Sequence, residues 1–194
     1  VLTSLDVSNF DTSNVTNMSS MFYHCVALTS LDLSNFDTSK VTDMRVMFAN
    51  CNNLKTLTAN NMIHTNPKLF TDVINNGIII ELIAKNWKFN GENVNLQELF
   101  KDNATLQKLD LSNWSNENVT NMNSMFFNCN NLTTLDLSNF NTSNVTNMRY
   151  MFHVCKDLTS LDVSSFDTTN VENMYGMFNA CNKLTSLDVS GFDT

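Results

Sequence analysis

The chain has 194 residues, a formal net charge of −8 and a pI near 4.6. Binding of nucleic acid is disfavoured, because neutralising phosphates requires clustered Lys and Arg, and only 11 of these residues stand against 19 Asp and Glu. With 4 Gly and 1 Pro, the composition excludes a collagen-like chain and argues against disorder. The longest apolar stretch, 77–84, contains Glu81 and falls far short of the roughly 20 residues of a membrane-spanning helix.

A phrase of 26 residues, represented by LTSLDLSNFDTSKVTDM from residue 28 onward, recurs along the chain. A leucine opens each clear copy: Leu2, Leu28, Leu54, Leu106, Leu132, Leu158 and Leu184. A fixed period in this range predicts a solenoid of stacked units. We expect a single solenoid domain over residues 1–194 with about eight rungs. The chain starts and stops inside a copy, so we expect it to be a segment of a longer protein.

The first half of each copy predicts a strand. In 28–36, apolar and polar residues alternate through Leu31 and Leu33, which is typical of a half-buried strand. The same stretch fits the L-x-x-L-x-L-x-x-N core of leucine-rich repeats.

The second half of each copy predicts a short helix. Its apolar residues follow at steps of three, three, one and three: Val41, Met44, Met47, Phe48 and Cys51. Thr38 and Ser39 stand before it, where a hydroxyl can cap free amides. Strands stack about 4.8 Å apart and helices roughly 8–10 Å apart. We therefore expect a curved α/β solenoid, a leucine-rich-repeat array with parallel strands on the concave side and short helices on the convex side.

Residues 54–105 depart from the phrase and are interpreted as two degenerate rungs, with an inserted domain as the alternative. Pro67 replaces the usual Val at the start of the first helix, where proline is tolerated. The helix slots there fit Phe70, Val73 and Ile74; the next rung fits Ile79, Leu82, Ala84, Asn86 and Trp87 as strand and Leu96, Leu99 and Phe100 as helix. The degeneration reflects either drift or a binding site.

The repeat also has a specific wording, L-D-[LV]-S-[NS]-F-[DN]-T-[ST]-[NK]-V-[TE]-[ND]-M-x-x-M-F, in the copies that start at Leu2, Leu28, Leu132 and Leu158. The copy at Leu106 has Trp114 in the Phe slot. This wording resembles the BspA-like leucine-rich-repeat surface proteins of bacteria, with their mycoplasma-type surface lipoprotein repeat. The resemblance implies an extracellular, cell-attached protein that adheres to host or neighbouring molecules. It transfers no functional residues.

An acidic column is the main candidate site. Six copies place an aspartate between the two inward-facing strand residues, and the degenerate rungs place Thr and Ile there: Asp6, Asp32, Thr58, Ile83, Asp110, Asp136, Asp162 and Asp188. Carboxylates about 5 Å apart repel by roughly 1 kcal/mol in water. Flanking serines, a basic protein partner or calcium ions are the three alternatives that would relieve this repulsion. Ile83, exposed between Glu81 and Lys85, is a candidate contact residue.

Three further columns have structural interpretations. The cysteines share one helix slot, so at helix spacing they exceed the ~7 Å limit for a disulfide and are expected to be buried, reduced thiols: Cys25, Cys51, Cys129, Cys155 and Cys181. The Met and Phe ladder, such as Met18, Met21 and Phe22, is expected in the core. The Asn column is expected to hydrogen-bond the turn backbone after each strand: Asn9, Asn35, Asn61, Asn86, Asn113 and Asn139.

These observations favour a cell-surface binding or adhesion module that recognises an extracellular macromolecule through its acidic concave face. The alternative is a structural stalk or spacer that presents another domain. An extracellular or host protein is the expected partner, with a basic protein as one candidate, and membrane attachment is expected only through flanks outside this segment. The sequence contains no recognisable catalytic arrangement, metal-site motif or cofactor motif, so we expect no enzyme activity.

Overall fold

Short parallel strands, one above another on successive turns of the chain, form the backbone of the fold. A computed structural model describes residues 2–74 and 78–193. The elements are β1 (Ser30–Asp32), β2 (Thr56–Thr58), β3 (Ile63–His64), α1 (Lys68–Ile74), β4 (Glu81–Ile83), β5 (Lys88–Phe89), β6 (Val94–Asn95), β7 (Lys108–Asp110), β8 (Val119–Asn121), β9 (Thr134–Leu135) and β10 (Ser160–Leu161).

The strands predicted in the first half of each copy form one wall, which we call the strand wall. It consists of a parallel sheet in the order β1-β2-β4-β7, followed by the parallel pair β9-β10. Leu57 pairs with Leu31 on one side and Leu82 on the other, so equivalent positions of the repeat lie directly above one another. The solenoid predicted from the 26-residue period is therefore confirmed. From β1 to β10 the chain makes about five turns, and the expected eight regular rungs are not formed by the described residues.

Two more walls complete each turn. The pairs β3-β5 and β6-β8 are also parallel. Isolated β-bridges continue the β6-β8 wall into the regular copies on both sides of the degenerate region. Asn17 pairs with Asp43 on the N-terminal side, and Asn147 pairs with Asn121 and Asn173 on the C-terminal side. The fold is thus a parallel β-solenoid with very little helix.

The prediction of a helix in the second half of each regular copy is wrong. These segments are chains of turns, and we call the surface they form the turn wall. Their amides alternate between two kinds of acceptor. Met18 and Phe22 donate to the next coil, to the carbonyls of Asp43 at 2.8 Å and Met47 at 3.0 Å, whereas Met21 donates within its own coil to Met18 at 3.3 Å.

Left-handed backbone at every fourth residue produces this path. In the first turn segment φ is 59° at Ser20 and 64° at His24, and it is 52° at Val46 and 64° at Asn50 in the next coil. Such a conformation costs roughly 1–2 kcal/mol in a non-glycine residue, and the hydrogen bonds between coils offset that cost. The apolar side chains still point inward, because a step of three or four residues returns to the same side in both geometries.

Because the described part of the turn wall contains no helices in the regular copies, the feature expected to curve the solenoid is missing. The predicted arc required convex helices spaced more widely than the strands. In the structure, backbone hydrogen bonds join successive coils in the turn wall as they do in the strand wall. For example, the Phe126 amide donates to the Met151 carbonyl of the next coil at 2.9 Å. Among residues 2–74 and 78–193, α1 is the single helix, so neither the convex helical layer nor its wedge-shaped spacing is present.

The one helix of the described residues lies in the first degenerate copy, where the helix prediction is confirmed. Pro67 precedes it, and the amide of Lys68 donates to the Asn66 side chain at 3.2 Å. Phe70, Val73 and Ile74 face the core and are fully buried. An asparagine cap followed by proline at the first helical position stabilises a helix start. In the second degenerate copy the prediction is wrong, because Leu96, Leu99 and Phe100 follow β6 in turns and not in a helix.

The core runs continuously between the walls. Phe126 stacks between Phe100 at 5.3 Å and Phe152 at 5.5 Å between ring centroids. Trp87 is fully buried and stacks on Trp114 at 4.9 Å, as expected for the Phe slot. The methionine ladder is buried as predicted, except that Met21 is exposed and Met174 is half-buried.

The cysteines are free thiols. Cys51, Cys129 and Cys155 are buried, and Cys25 and Cys181 are half-buried. Burial raises the pKa of Cys155 to about 12, and its thiol donates to the Phe126 carbonyl at 3.1 Å. The reduced state is as predicted, but the reason was wrong, because these segments stack at strand spacing and not at helix spacing.

Candidate binding face

The residues of the acidic column lie together on the outer side of the strand wall. Asp32 pairs in register with Thr58, Thr58 with Ile83, and Ile83 with Asp110. Their neighbours Leu31, Leu57, Leu82 and Leu109 are buried, because successive residues of a strand point to opposite faces. The predicted alignment is therefore present for Asp32, Thr58, Ile83 and Asp110.

An open groove follows the C-terminal part of this column. It has a volume of about 800 Å³, and Asp110, Asp136 and Asp162 all line it. Leu135 and Leu161 also contribute to the lining. Three carboxylates from three successive coils thus face one continuous space.

Serine amides hold these carboxylates in place. In each regular copy, Oδ1 of the aspartate accepts the amide hydrogen of the serine two residues later, a local turn that favours Asp and Asn. The N–O distances lie between 2.8 and 3.1 Å for Ser8, Ser34, Ser112, Ser138, Ser164 and Ser190. Hydrogen bonds from the serine hydroxyl and amide lower the pKa of Asp6, Asp162 and Asp188. The serine interaction, one of the three alternatives for relieving the repulsion, is therefore present in the structure.

Asp110 differs from the other aspartates because Lys85 is close to it. Lys85 Nζ lies 3.1 Å from Asp110 Oδ2. Partial burial pushes the pKa of Asp110 upward, but hydrogen bonds from Ser112 and Lys85 outweigh this effect and lower it. In the described part of the chain, Asp136 and Asp162 form no ion pair, so the groove is most negative toward its C-terminal end.

The degenerate coils interrupt the column. Thr58 and Ile83 are both half-buried, so the expectation that Ile83 is exposed was wrong. Glu81 and Lys108 flank it, with 4.0 Å between Lys108 Nζ and Glu81 Oε1. Ile83 thus separates the N-terminal aspartates from the groove and is a less accessible contact than predicted.

The asparagine column links coils through two kinds of acceptor. Asn35 Nδ2 donates to the carbonyls of the preceding coil, including Val7 at 2.9 Å, and Asn61 to Ser34 at 3.4 Å. Asn86 and Asn113 donate to the side chain of the preceding asparagine, at 2.9 and 3.2 Å. The predicted bonding to turn backbone is correct for the first two, and a side-chain ladder replaces it in the next two.

A buried threonine column was missed. The hydroxyl of Thr38 donates to the Ile63 carbonyl at 2.8 Å and accepts the Ile63 amide at 3.0 Å. The same slot holds further buried residues that hydrogen-bond the next coil: Thr12, Asn116, Thr142 and Thr168. Each acts as a clip between coils, where the sequence had suggested a helix cap. Threonine recurs at this slot in the four copies that start at Leu2, Leu28, Leu132 and Leu158, and this recurrence was the signal.

His64 occupies the threonine slot in the degenerate region. It is buried against Phe70, Trp87 and Phe89, with its ring centroid 4.2 Å from that of Trp87. Burial lowers the pKa of His64 to about 3. An aromatic cluster therefore replaces the hydrogen-bonded clip in this coil.

Within residues 2–74 and 78–193, no three His, Cys, Asp or Glu side chains approach closely enough to form a metal-binding group. In the same ranges no helix has the length and apolar character needed to span a bilayer.

Comparison with known proteins gives one family match. A family described as Mycoplasma protein of unknown function, DUF285, matches residues 3–76 and 94–194. The unmatched stretch, 77–93, lies inside the degenerate region. No curated protein and no solved structure matches the chain.

Proposed function

The chain belongs to the DUF285 family, and from that premise we propose that it is a non-enzymatic, cell-surface binding module of the BspA-like type. It binds an extracellular or host protein through the acidic strand wall.

The groove at Asp110, Asp136 and Asp162 is the observation that supports this function. The serine amides of these coils use Oδ1, which leaves Oδ2 of Asp136 and Asp162 available to a donor from a partner. Because backbone amides fix the carboxylates, little side-chain freedom is lost on binding. The acceptors are therefore already in place before a partner binds, which suits recognition without rearrangement of the groove.

The charge of the groove indicates the chemistry of its partner. Carboxylates at successive coils, about 4.8 Å apart, complement a polypeptide with several Lys or Arg side chains. Charge-assisted hydrogen bonds are roughly twice as strong as neutral ones. The groove is open along its length, so an extended basic segment can lie across several coils.

A double charge reversal tests the proposal. Asp136→Lys with Asp162→Lys should reduce adhesion to host cells, and binding to an immobilised lysine-rich peptide, by at least tenfold at 0.15 M salt. The matched control is Asp11→Lys with Asp167→Lys. These aspartates accept amides two residues later, at 3.0 Å each, but lie outside the groove lining.

Both double variants lose two local turn bonds and change the net charge by the same amount. Circular dichroism and melting temperature should therefore change equally. Equal adhesion of the two double variants would contradict the role of the groove.

A further inference from the structure

The turn wall carries an exposed cation–aromatic cluster, which we call the Tyr–Arg patch and define as Arg149, Tyr150 and Tyr175. The guanidinium carbon of Arg149 lies 4.8 Å from the ring centroid of Tyr150 and 5.6 Å from that of Tyr175. The two rings are 5.2 Å apart at an interplanar angle of 75°. Tyr175 is 66% exposed, so its ring is open to a ligand.

The backbone holds the patch in place. Tyr150 is left-handed, with φ 56°, and its ring lies on Gly176, the equivalent residue of the next coil. A Cβ at Gly176 would come within 2.6 Å of Tyr150 Cε1. The ring position of Tyr150 therefore depends on glycine at this slot, and Tyr150 in turn supports the guanidinium.

Arg149 differs from the arginine in the equivalent position of an earlier coil. Arg45 Nη2 pairs with Asp43 Oδ2 at 2.8 Å. In the coil of Arg149 that aspartate is replaced by Asn147, whose Oδ1 accepts the Arg149 amide at 3.0 Å. No carboxylate in the described ranges pairs with the Arg149 guanidinium. Its donors remain available for an external anion, although the protein as a whole is acidic.

Other aromatic residues extend the patch along the solenoid axis. Phe127 lies 6.2 Å from Tyr150, and His153 lies 5.0 Å from Phe127 and 4.8 Å from Tyr150. Lys101 stands 5.7 Å from the Phe127 ring, but it is already paired with Glu98 at 2.9 Å. These aromatic residues thus span several coils. Of the two cations beside them in the described part of the chain, Lys101 is paired with a carboxylate and Arg149 is not.

We propose that the Tyr–Arg patch binds a linear acidic polysaccharide through its uronate sugars. A uronate presents a flat face of C–H groups and a carboxylate on the same ring, and such a face stacks on the electron-rich surface of an aromatic ring. The Arg149 guanidinium lies 5.6 Å from the exposed Tyr175 ring, so a sugar that stacks on Tyr175 has a cation beside it for its carboxylate. An acidic peptide side chain has the carboxylate but no attached flat face.

The test measures binding of purified protein to polymers of glucuronate, galacturonate and mannuronate, and to the same polymers with their carboxyl groups reduced to alcohols. At least one uronate polymer should bind, and its reduced form should bind at least tenfold more weakly. Arg149→Gln and Tyr175→Ala should each weaken binding at least tenfold. The control Arg45→Gln, in the equivalent slot without tyrosines, should change it less than twofold.

Several results would overturn the proposal: no binding to any of the three polymers, equal binding of the reduced form, or unchanged binding by Arg149→Gln. Tighter binding of polyglutamate than of every polysaccharide would assign the patch to an acidic polypeptide instead. The Asp136→Asn with Asp162→Asn variant, which removes the groove carboxylates without adding cations that could themselves bind a polyanion, should bind the polysaccharide as the unmodified protein does, because the groove and the patch lie on different walls. The two proposals can therefore fail separately.

Discussion

Replacing Thr38 by valine isolates the contribution of a coil-to-coil clip. Thr38 is 2% exposed and its hydroxyl forms two hydrogen bonds to the backbone of Ile63, at 2.8 and 3.0 Å. Valine has nearly the same shape, so packing is conserved while the amide and carbonyl of Ile63 lose this partner. An unpaired buried polar group costs about 1–3 kcal/mol. Since Ile63 is half-buried, we expect a total loss of about 2–4 kcal/mol.

Thermal and urea denaturation measure this loss. For a chain of this size, about 1 kcal/mol corresponds to roughly 2–4 °C in melting temperature, so Thr38→Val should lower it by roughly 4–16 °C. Thr29→Val is the control, because Thr29 is exposed on the strand wall and surface substitutions usually stay within about 0.5 kcal/mol. Melting temperatures that fall equally in the two variants would refute the clip as a stabilising interaction.

Two further changes address the turn wall and the degenerate region. Val46→Gly should raise stability by up to about 1 kcal/mol, since glycine relieves the left-handed strain at φ 52° at a smaller entropic cost; Val26→Gly, without that strain, should lower stability, and a loss in both variants would contradict this account. For His64, burial lowers the pKa in the folded protein to about 3, whereas the unfolded value is about 6.5. Between these values the unfolded chain binds an extra proton, so stability should fall with falling pH by about 1.4 kcal/mol per unit. His64→Phe should reduce the difference in melting temperature between pH 7.5 and pH 5, and an unchanged difference would exclude His64 as its source.

The strand wall was predictable because its signal is local and unambiguous. The alternation of apolar and polar residues through Leu31 and Leu33 predicts a strand, and the 26-residue period then places equivalent residues in register. Even the degenerate coil followed this logic, since Leu82 pairs with both Leu57 and Leu109. The acidic column follows directly from that register.

The turn wall was not predictable in the same way. Apolar residues three and four apart, such as Met44, Met47 and Phe48, suit a helix, but they equally suit successive turns with a left-handed residue at every fourth position. An isolated helix of about ten residues is marginal in water, whereas each turn segment gains hydrogen bonds from both neighbouring coils. Tertiary pairing therefore overrides local preference, except where Pro67 and Asn66 start a real helix.

The same error concealed two of the site features. A helical interpretation assigned Thr38 to capping, although its hydroxyl bonds a residue 25 positions later. Arg149 and Tyr175 occupy the same slot of adjacent copies and become close neighbours because adjacent coils stack at strand spacing. Side-chain contacts between copies depend on that spacing, which the period alone does not specify.

Because the strand wall and the turn wall both stack at strand spacing, the solenoid spans only a short distance for its number of residues. Each turn of 26 residues advances the fold by only about 4.8 Å along its axis. Projecting a domain 100 Å from a cell surface would therefore consume about 540 residues of such repeat, whereas an extended proline-rich linker covers that distance in about 32. The architecture is inefficient for distance but presents many side chains per unit of height, which is what a recognition surface requires and a spacer does not.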